Sequence, residues 1–291
     1  MSKAFLRSPK GSLAYWNKWI AFGNDAIAER LRILEKPSGD PSYRPQYVYN
    51  LAKEHWHVML SRYSRGDAIP ELHQYFEPLL DAWEESERLG QSVYTPAQQI
   101  TRNSWAVNLD HYIVCFWLVG LALAFDLEDR LWQRLLALLG NEGADELLDR
   151  VIATRQPGRK IGSTLCHPKP YARLLMAVNA AKADQAPCLH DFVQHWYAEL
   201  DRPATKGKPA IYNRPYWYTL GDQNFEGGAY FGRWCVEAVA VAKAFGVDDA
   251  LCLGHEHYPG DLLRPDGPST HVAAGVQEVT LINRLKGWLG S

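Results

Sequence analysis

Apolar residues along this chain recur at spacings of three and four, and strand-like alternation is scarce. Trp16, Ile20, Ile27, Leu31 and Leu34 keep helical spacing, and Tyr47–Tyr63 continues in the same manner. From Asp67 to Leu89 one stripe carries Leu72, Phe76, Leu79, Leu80 and Trp83, with Pro70 near its start and Gly90 as its stop. Thr95-Pro96-Ala97-Gln98 has the form of a helix start: the Thr hydroxyl caps, Pro loses nothing at the first position, and Gln reaches back to the cap. The helix that follows is expected to break near Asn103 and to resume into IVCFWLVGLALAF, Ile113–Phe125. That run is shorter than the ~20 residues that cross a bilayer, so it predicts a buried core helix. Further helices are expected over Glu128–Leu139 with Gly140 as stop, Glu142–Ala153 capped by Asn141, Pro170–Ala183, Pro187–Leu200, and Thr270–Leu289.

The pattern therefore predicts an all-α protein, a multi-helix bundle of roughly ten helices joined by long loops. Thr154–Pro170 and Asp201–Gln223 are the longest connections. The first is the best boundary between an N-terminal helical region, 1–153, and a C-terminal one, 154–291, with one compact domain as the alternative. A faint internal echo supports two halves. Cys115–Phe125 followed by Glu128–Asp129 lines up with Cys235–Phe245 followed by Asp248–Asp249.

Composition narrows the function. A net charge of −2 does not support a nucleic-acid binder, which would carry a basic excess, but it leaves room for a local acidic face. The five cysteines are odd in number and scattered with no CxxC, which suits a reducing, cytoplasmic setting. The N-terminus has no apolar run of a secretory signal. No GxSxG, Walker A or GxGxxG sequence occurs.

Candidate chemistry concentrates between Ala229 and Leu263. An apolar helix with Glu237 in its middle stops at Gly246. Asp248 and Asp249 follow, and then a loop with His255, Tyr258, Pro259 and Asp261. His255, His257 and His271 are the sharpest metal candidates, since zinc needs three or four such groups converging. A carboxylate on an apolar helix is costly unless paired. Glu237 is thus expected to pair with Arg233 or, preferably, to accept hydrogen bonds from the His255–Tyr258 loop and pin it. Acidic groups recur at helix ends, Asp222 and Glu226 before this helix and Asp248 and Asp249 after it. If these ends converge they would form one negative patch for a basic partner.

The order Tyr230, Trp234, Glu237-Ala238, Asp248-Asp249, His255 and Tyr258-Pro259-x-Asp261-Leu262 resembles the signature of the PoNi family of bacterial immunity proteins. Upstream, Arg62-Tyr63-Ser64-Arg65-Gly66, followed by the amphipathic stretch ending in Trp83-Glu84-Glu85, is similar to the N-terminal region of that family. The resemblance implies a helical, non-enzymatic, cofactor-free cytoplasmic protein. Such a protein binds a cognate nuclease toxin, of a type VI or related secretion system, and protects its producer during interbacterial competition. It implies no direct nucleic-acid or membrane partner and leaves a homodimer open. The signature residues are expected to hold the fold, and Asp222, Glu226, Asp248 and Asp249 are the expected toxin contacts. The competing readings are a metal-dependent hydrolase on His255, His257 and His271, and an effector adaptor or chaperone.

Overall fold

The computed structural model describes residues 5–202 and 214–272. The helix expected over Thr270–Leu289 falls almost entirely outside them. Among the described residues every regular element is helical, as the spacing predicts.

Helix α1 (Leu13–Leu34) starts at Ser12, whose side chain accepts the Tyr15 amide, and α2 (Arg44–Arg65) ends at Gly66 with φ 98°. The single helix expected over Asp67–Leu89 is instead α3 (Ile69–Leu72), a 3-10 turn and α4 (Phe76–Gly90). Pro78 gives the reason. It has no amide to donate back to residue 74, and its ring clashes with that carbonyl, so a continuous helix cannot pass. The apolar stripe survives the break: Leu72, Phe76, Leu79, Leu80 and Trp83 are all buried. Helix α5 (Pro96–Asn103) carries the expected reciprocal Thr95–Gln98 cap. Asn108 caps α6 (Leu109–Ala124), and α7 (Asp129–Leu139) stops at Gly140. The next helix, α8 (Glu146–Ala153), begins later than expected because Asp145, not Asn141, caps it, accepting the Leu147 and Leu148 amides. Asn141 takes a left-handed turn (φ 54°), and its side chain bonds the backbone of Asn103, Trp105 and Leu139.

Helices α9 (Pro168–Asn179) and α10 (Gln185–Glu199) form a packed pair. The end of the expected Asp201–Gln223 loop is helical, α11 (Trp217–Gln223). The last helix, α12 (Val236–Phe245), starts so late that Glu237 lies in its first turn rather than its middle. Ahead of it Tyr230–Trp234 has no regular structure, and Gly232 (φ 106°) passes so close to the Trp234 indole and the Ser64 hydroxyl that no Cβ fits.

The core is one cluster of buried residues from Tyr15 to Leu262. At its centre α12 lies against α6. All of α6 through Leu123 is buried except Asp110, and α12 is buried from Val236 to Ala242. Helices apolar on every side belong inside a protein. The two halves of the sequence echo therefore form the central pair, and Gly120 of one touches Ala240, its counterpart, of the other. A Cβ on Gly120 would come within 3.1 Å of the Ala240 Cβ and 3.0 Å of the Val236 carbonyl oxygen.

This crossing admits nothing larger than glycine without the helices separating. Gly120→Leu is expected to lower stability by about 3 kcal/mol or more, the upper range for overpacking a core. Thermal or urea unfolding measures it, and an unchanged midpoint would show that the pair tolerates a wider separation.

Candidate functional site

The two sequence regions behind the family resemblance meet in one joint, through contacts between residues 167 and 170 positions apart. Ser64 on α2 lies at its middle. Its hydroxyl accepts the Trp234 indole N–H at 2.8 Å and stands 2.9 Å from the Leu60 and Phe231 carbonyl oxygens. The segment before α1 lies over the C-terminus of α2. The Arg7 and Ser8 amides donate to the Ser64 carbonyl at 3.1 and 3.0 Å, and a Cβ on Gly66 would strike the Phe5 carbonyl. Tyr15 donates its hydroxyl to the Tyr230 carbonyl at 2.9 Å, and the Tyr230 hydroxyl is 3.3 Å from that of Ser8. The Tyr63 hydroxyl meets His271 Nε2 at 2.8 Å.

Asp261 completes the joint. Buried in the chain after α12, it accepts Arg7 Nε at 2.5 Å, the Thr270 amide at 2.6 Å, and the Thr270 and Ser269 hydroxyls at 2.7 and 2.8 Å. Burial alone would raise its pKa; the donors from Thr270, Arg7 and Ser269 outweigh that and hold it below the ordinary carboxylate value. Asp249 is built in the same way. It accepts the Tyr258 hydroxyl at 2.6 Å and a two-pronged contact from Arg264 at 2.8 and 2.5 Å, and these overcome burial to keep its pKa low.

Glu237 is the contrast. It is fully buried and accepts only the Tyr171 hydroxyl at 2.9 Å and the Trp196 indole at 3.3 Å, both on Oε1. Its Oε2 has no hydrogen-bond partner. Burial pushes its pKa up to about 7 against those bonds. The expected pin to the His255–Tyr258 loop is therefore corrected, because Glu237 ties α12 to α9 and α10. The loop is held instead through His257: the Cys235 amide donates to its carbonyl at 2.8 Å, and its ring nitrogen meets the Arg233 carbonyl at 3.1 Å. Arg233 does not pair with Glu237 either; it pairs with Asp222.

The three imidazoles of the hydrolase reading do not converge. His255 and His257 have ring centroids 5.6 Å apart, whereas His271 lies against Tyr63 and Trp234. Among the described residues no group of three His, Cys, Asp or Glu is placed to hold a metal ion. That reading fails on the geometry of its own ligands.

The four acids expected at the interface differ in what they can offer. Glu226 and Asp248 are exposed, and neither has an ion-pair partner among the described residues. Asp222 is exposed but held by Lys10 at 2.6 Å and by Arg233. Asp249 is buried and filled by Tyr258 and Arg264, so its geometry is that of a fold contact. Of the signature residues, Tyr230, Trp234, Glu237, Asp249, Tyr258 and Asp261 are buried, as are the Pro259 ring and the Gly260 backbone beside it. His255 is half-buried and accepts the His257 amide at 3.2 Å. Arg7, Tyr171 and Trp196 are partners that sequence reasoning missed, since no local spacing links them to Asp261 or Glu237.

Residues 7–137 match the family described as PoNe immunity protein (PoNi), N-terminal, and residues 143–262 match PoNe immunity proteins (PoNi), C-terminal. Among solved structures, protein PA2201 from Pseudomonas aeruginosa is similar over 91% of this chain and 91% of its own, with a TM-score of 0.68 and 20% identity. At that identity the likeness is one of fold. A comparison with the curated proteins gives no match.

Glu237 titrates higher folded than its ordinary value of 4.5, so its contribution is fully present below pH 4.5 and is lost as pH rises through about 7. Glu237→Gln is expected to raise stability above pH 7 by on the order of 3 kcal/mol, with the advantage gone by pH 4.5. His55, His111, His167, His257 and His271 act with the opposite sign. Burial lowers each from 6.5 to about 4, so the stability they allow above pH 6.5 is lost as pH falls toward 4. Five such groups outweigh one Glu, and the wild-type melting temperature should drop over that acid range. Melting curves from pH 4 to 9 for both proteins check this; parallel curves would mean that Glu237 does not change its charge there.

Proposed function

From the premise that this chain belongs to the PoNe immunity proteins, the PoNi family, we propose that it neutralises its nuclease toxin by covering the toxin's DNA-binding face in the producer's cytoplasm. The family is one of immunity proteins against polymorphic nuclease toxins, and the match over both of its regions is the observation that carries the reading. The toxin belongs, in this reading, to a type VI or related secretion system. A DNA-binding face is cationic, so an acidic surface would steer association and hold the register, while aromatic anchors supply most of the affinity. Glu226 and Asp248 are the acids best suited to that contact, because no cation among the described residues pairs with them. Asp222 contributes less, being shared with Lys10 and Arg233, and Asp249 serves the fold.

Inhibition by occlusion makes and breaks no bond. The buried signature leaves binding to the outer residues, so toxin choice can change without altering the joint at Ser64 and Asp261.

The test is survival and DNA integrity in cells expressing the adjacent nuclease gene with and without this chain. Rescue is expected, and equal killing in both cultures would sink the proposal. In the purified complex, Glu226→Lys and Asp248→Lys should slow association several-fold and flatten its dependence on salt. Asp249→Asn should instead cost roughly 2 kcal/mol of stability, because it weakens a largely buried ion pair, and leave the association rate near that of the wild type. A reversed pattern would move Asp249 into the interface and the other two out of it.

A further inference from the structure

Between α2, α5 and the first turn of α6 lies a cleft of about 240 Å³, with Tyr216 on its wall. At ~30 Å³ per water it would hold about eight molecules. It is built differently from the joint described above. There every half-buried cation has its anion: Arg7 with Asp261, Arg62 with Asp67, Arg264 with Asp249. Here Lys53 does not. Its ammonium lies 3.6 Å from the centre of the Tyr216 ring and has, among the described residues, neither a hydrogen-bond acceptor nor a carboxylate within ion-pair distance. Burial lowers its pKa.

Trp56, 2% exposed, forms part of the cleft wall, and its indole nitrogen is buried beneath that wall beside the Tyr216 side chain. Arg102 adds a guanidinium that donates to Gln46 Oε1 at 2.6 Å and lies over Tyr94 and Tyr49. One carboxylate, Asp110, stands opposite and accepts the Tyr216 amide at 3.0 Å. His111 is held neutral by burial, with its pKa lowered to about 4. The lining itself therefore carries two cations and one acid; Glu54, whose charge also acts on Lys53, is paired with Arg30 at 3.7 Å, and one negative charge would balance the lining. Tyr49, Trp56 and Tyr216 supply flat apolar walls.

We propose that this cleft binds a monoanionic carboxylate, its oxygens on the Lys53 ammonium and its hydrocarbon part against Tyr49 and Tyr216. A phosphate dianion would overcompensate the charge and face Asp110. The carboxylate comes either from a small free acid or from an acidic side chain of a bound protein. The free-acid source needs no toxin, so it stands or falls separately from the immunity reading.

The first measurement titrates the purified full chain with benzoate and propionate, with benzamide and inorganic phosphate as controls, followed by ligand-observed NMR. Saturable one-to-one benzoate binding is expected. It should weaken about tenfold in Lys53→Met, where the charged contact is lost, and tighten several-fold in Asp110→Asn, where a repelling charge is removed and the bond to Tyr216 is kept. The second arm measures Lys53→Met against the cognate toxin, after its melting curve has shown a wild-type fold. A tenfold loss of toxin affinity without benzoate binding, matched by neutralising one toxin carboxylate, assigns the site to a protein side chain. Benzamide or phosphate binding as tightly as benzoate overturns the carboxylate assignment. So does the absence of acid binding together with unchanged toxin affinity. If Lys53→Met does not fold, Asp110→Asn decides: benzoate affinity that fails to rise overturns the proposal.

Discussion

Two helices without a polar face, α6 and α12, can be buried only if the rest of the chain surrounds them. Most of this architecture follows from that requirement. The pair crosses at Gly120 and Ala240, where small side chains let the helices approach. Helices α2 and α4 lie toward the N-terminal side of the sequence and α9 and α10 toward the C-terminal side, and each contributes to the single apolar cluster. The segments outside the helices close what remains open, and because they carry polar backbone into a dry interior, their polar groups must be satisfied there.

Asp261, Asp249 and Glu237 show how that requirement is met to different degrees. All three carboxylates are buried. Asp261 collects an arginine, an amide and two hydroxyls, Asp249 collects an arginine and a tyrosine, and both stay ionised more readily than a carboxylate in water. Glu237 receives two neutral donors on one oxygen and none on the other, and burial prevails. Each environment changes the balance between desolvation and donated hydrogen bonds, and the direction of the pKa follows from the count and charge of the donors. The first two act as clamps between distant segments. The third connects α12 to α9 and α10 at the cost of a pH-dependent penalty.

This division bears on function. An immunity protein needs a rigid body and a surface that can follow its toxin. The residues of the signature are, for the most part, buried where the bundle closes, and the exposed acids and the polar cleft beside Lys53 are the surfaces we propose for recognition. The histidines near α12, the sharpest chemical motif of the sequence, make contacts within the fold. His257 serves a backbone carbonyl and an aromatic cluster, and His271 serves Tyr63.

Helical content, the Thr95 cap, the buried run of α6 and the stop at Gly140 were all legible in the sequence, because each depends on neighbours within one or two turns. The family signature was legible as well, since its residues keep their order along the chain. The break before α4 was legible in principle from Pro78, whose ring acts on its own helix. What no local reading could reach was partnership: that Asp261 answers Arg7, that Ser64 receives Trp234, that Glu237 faces Tyr171, and that Lys53 has no carboxylate within ion-pair distance among the described residues. Helical spacing reports which face of a segment turns inward, whereas the charge state and occupancy of a buried group depend on which distant segment folding brings against that face.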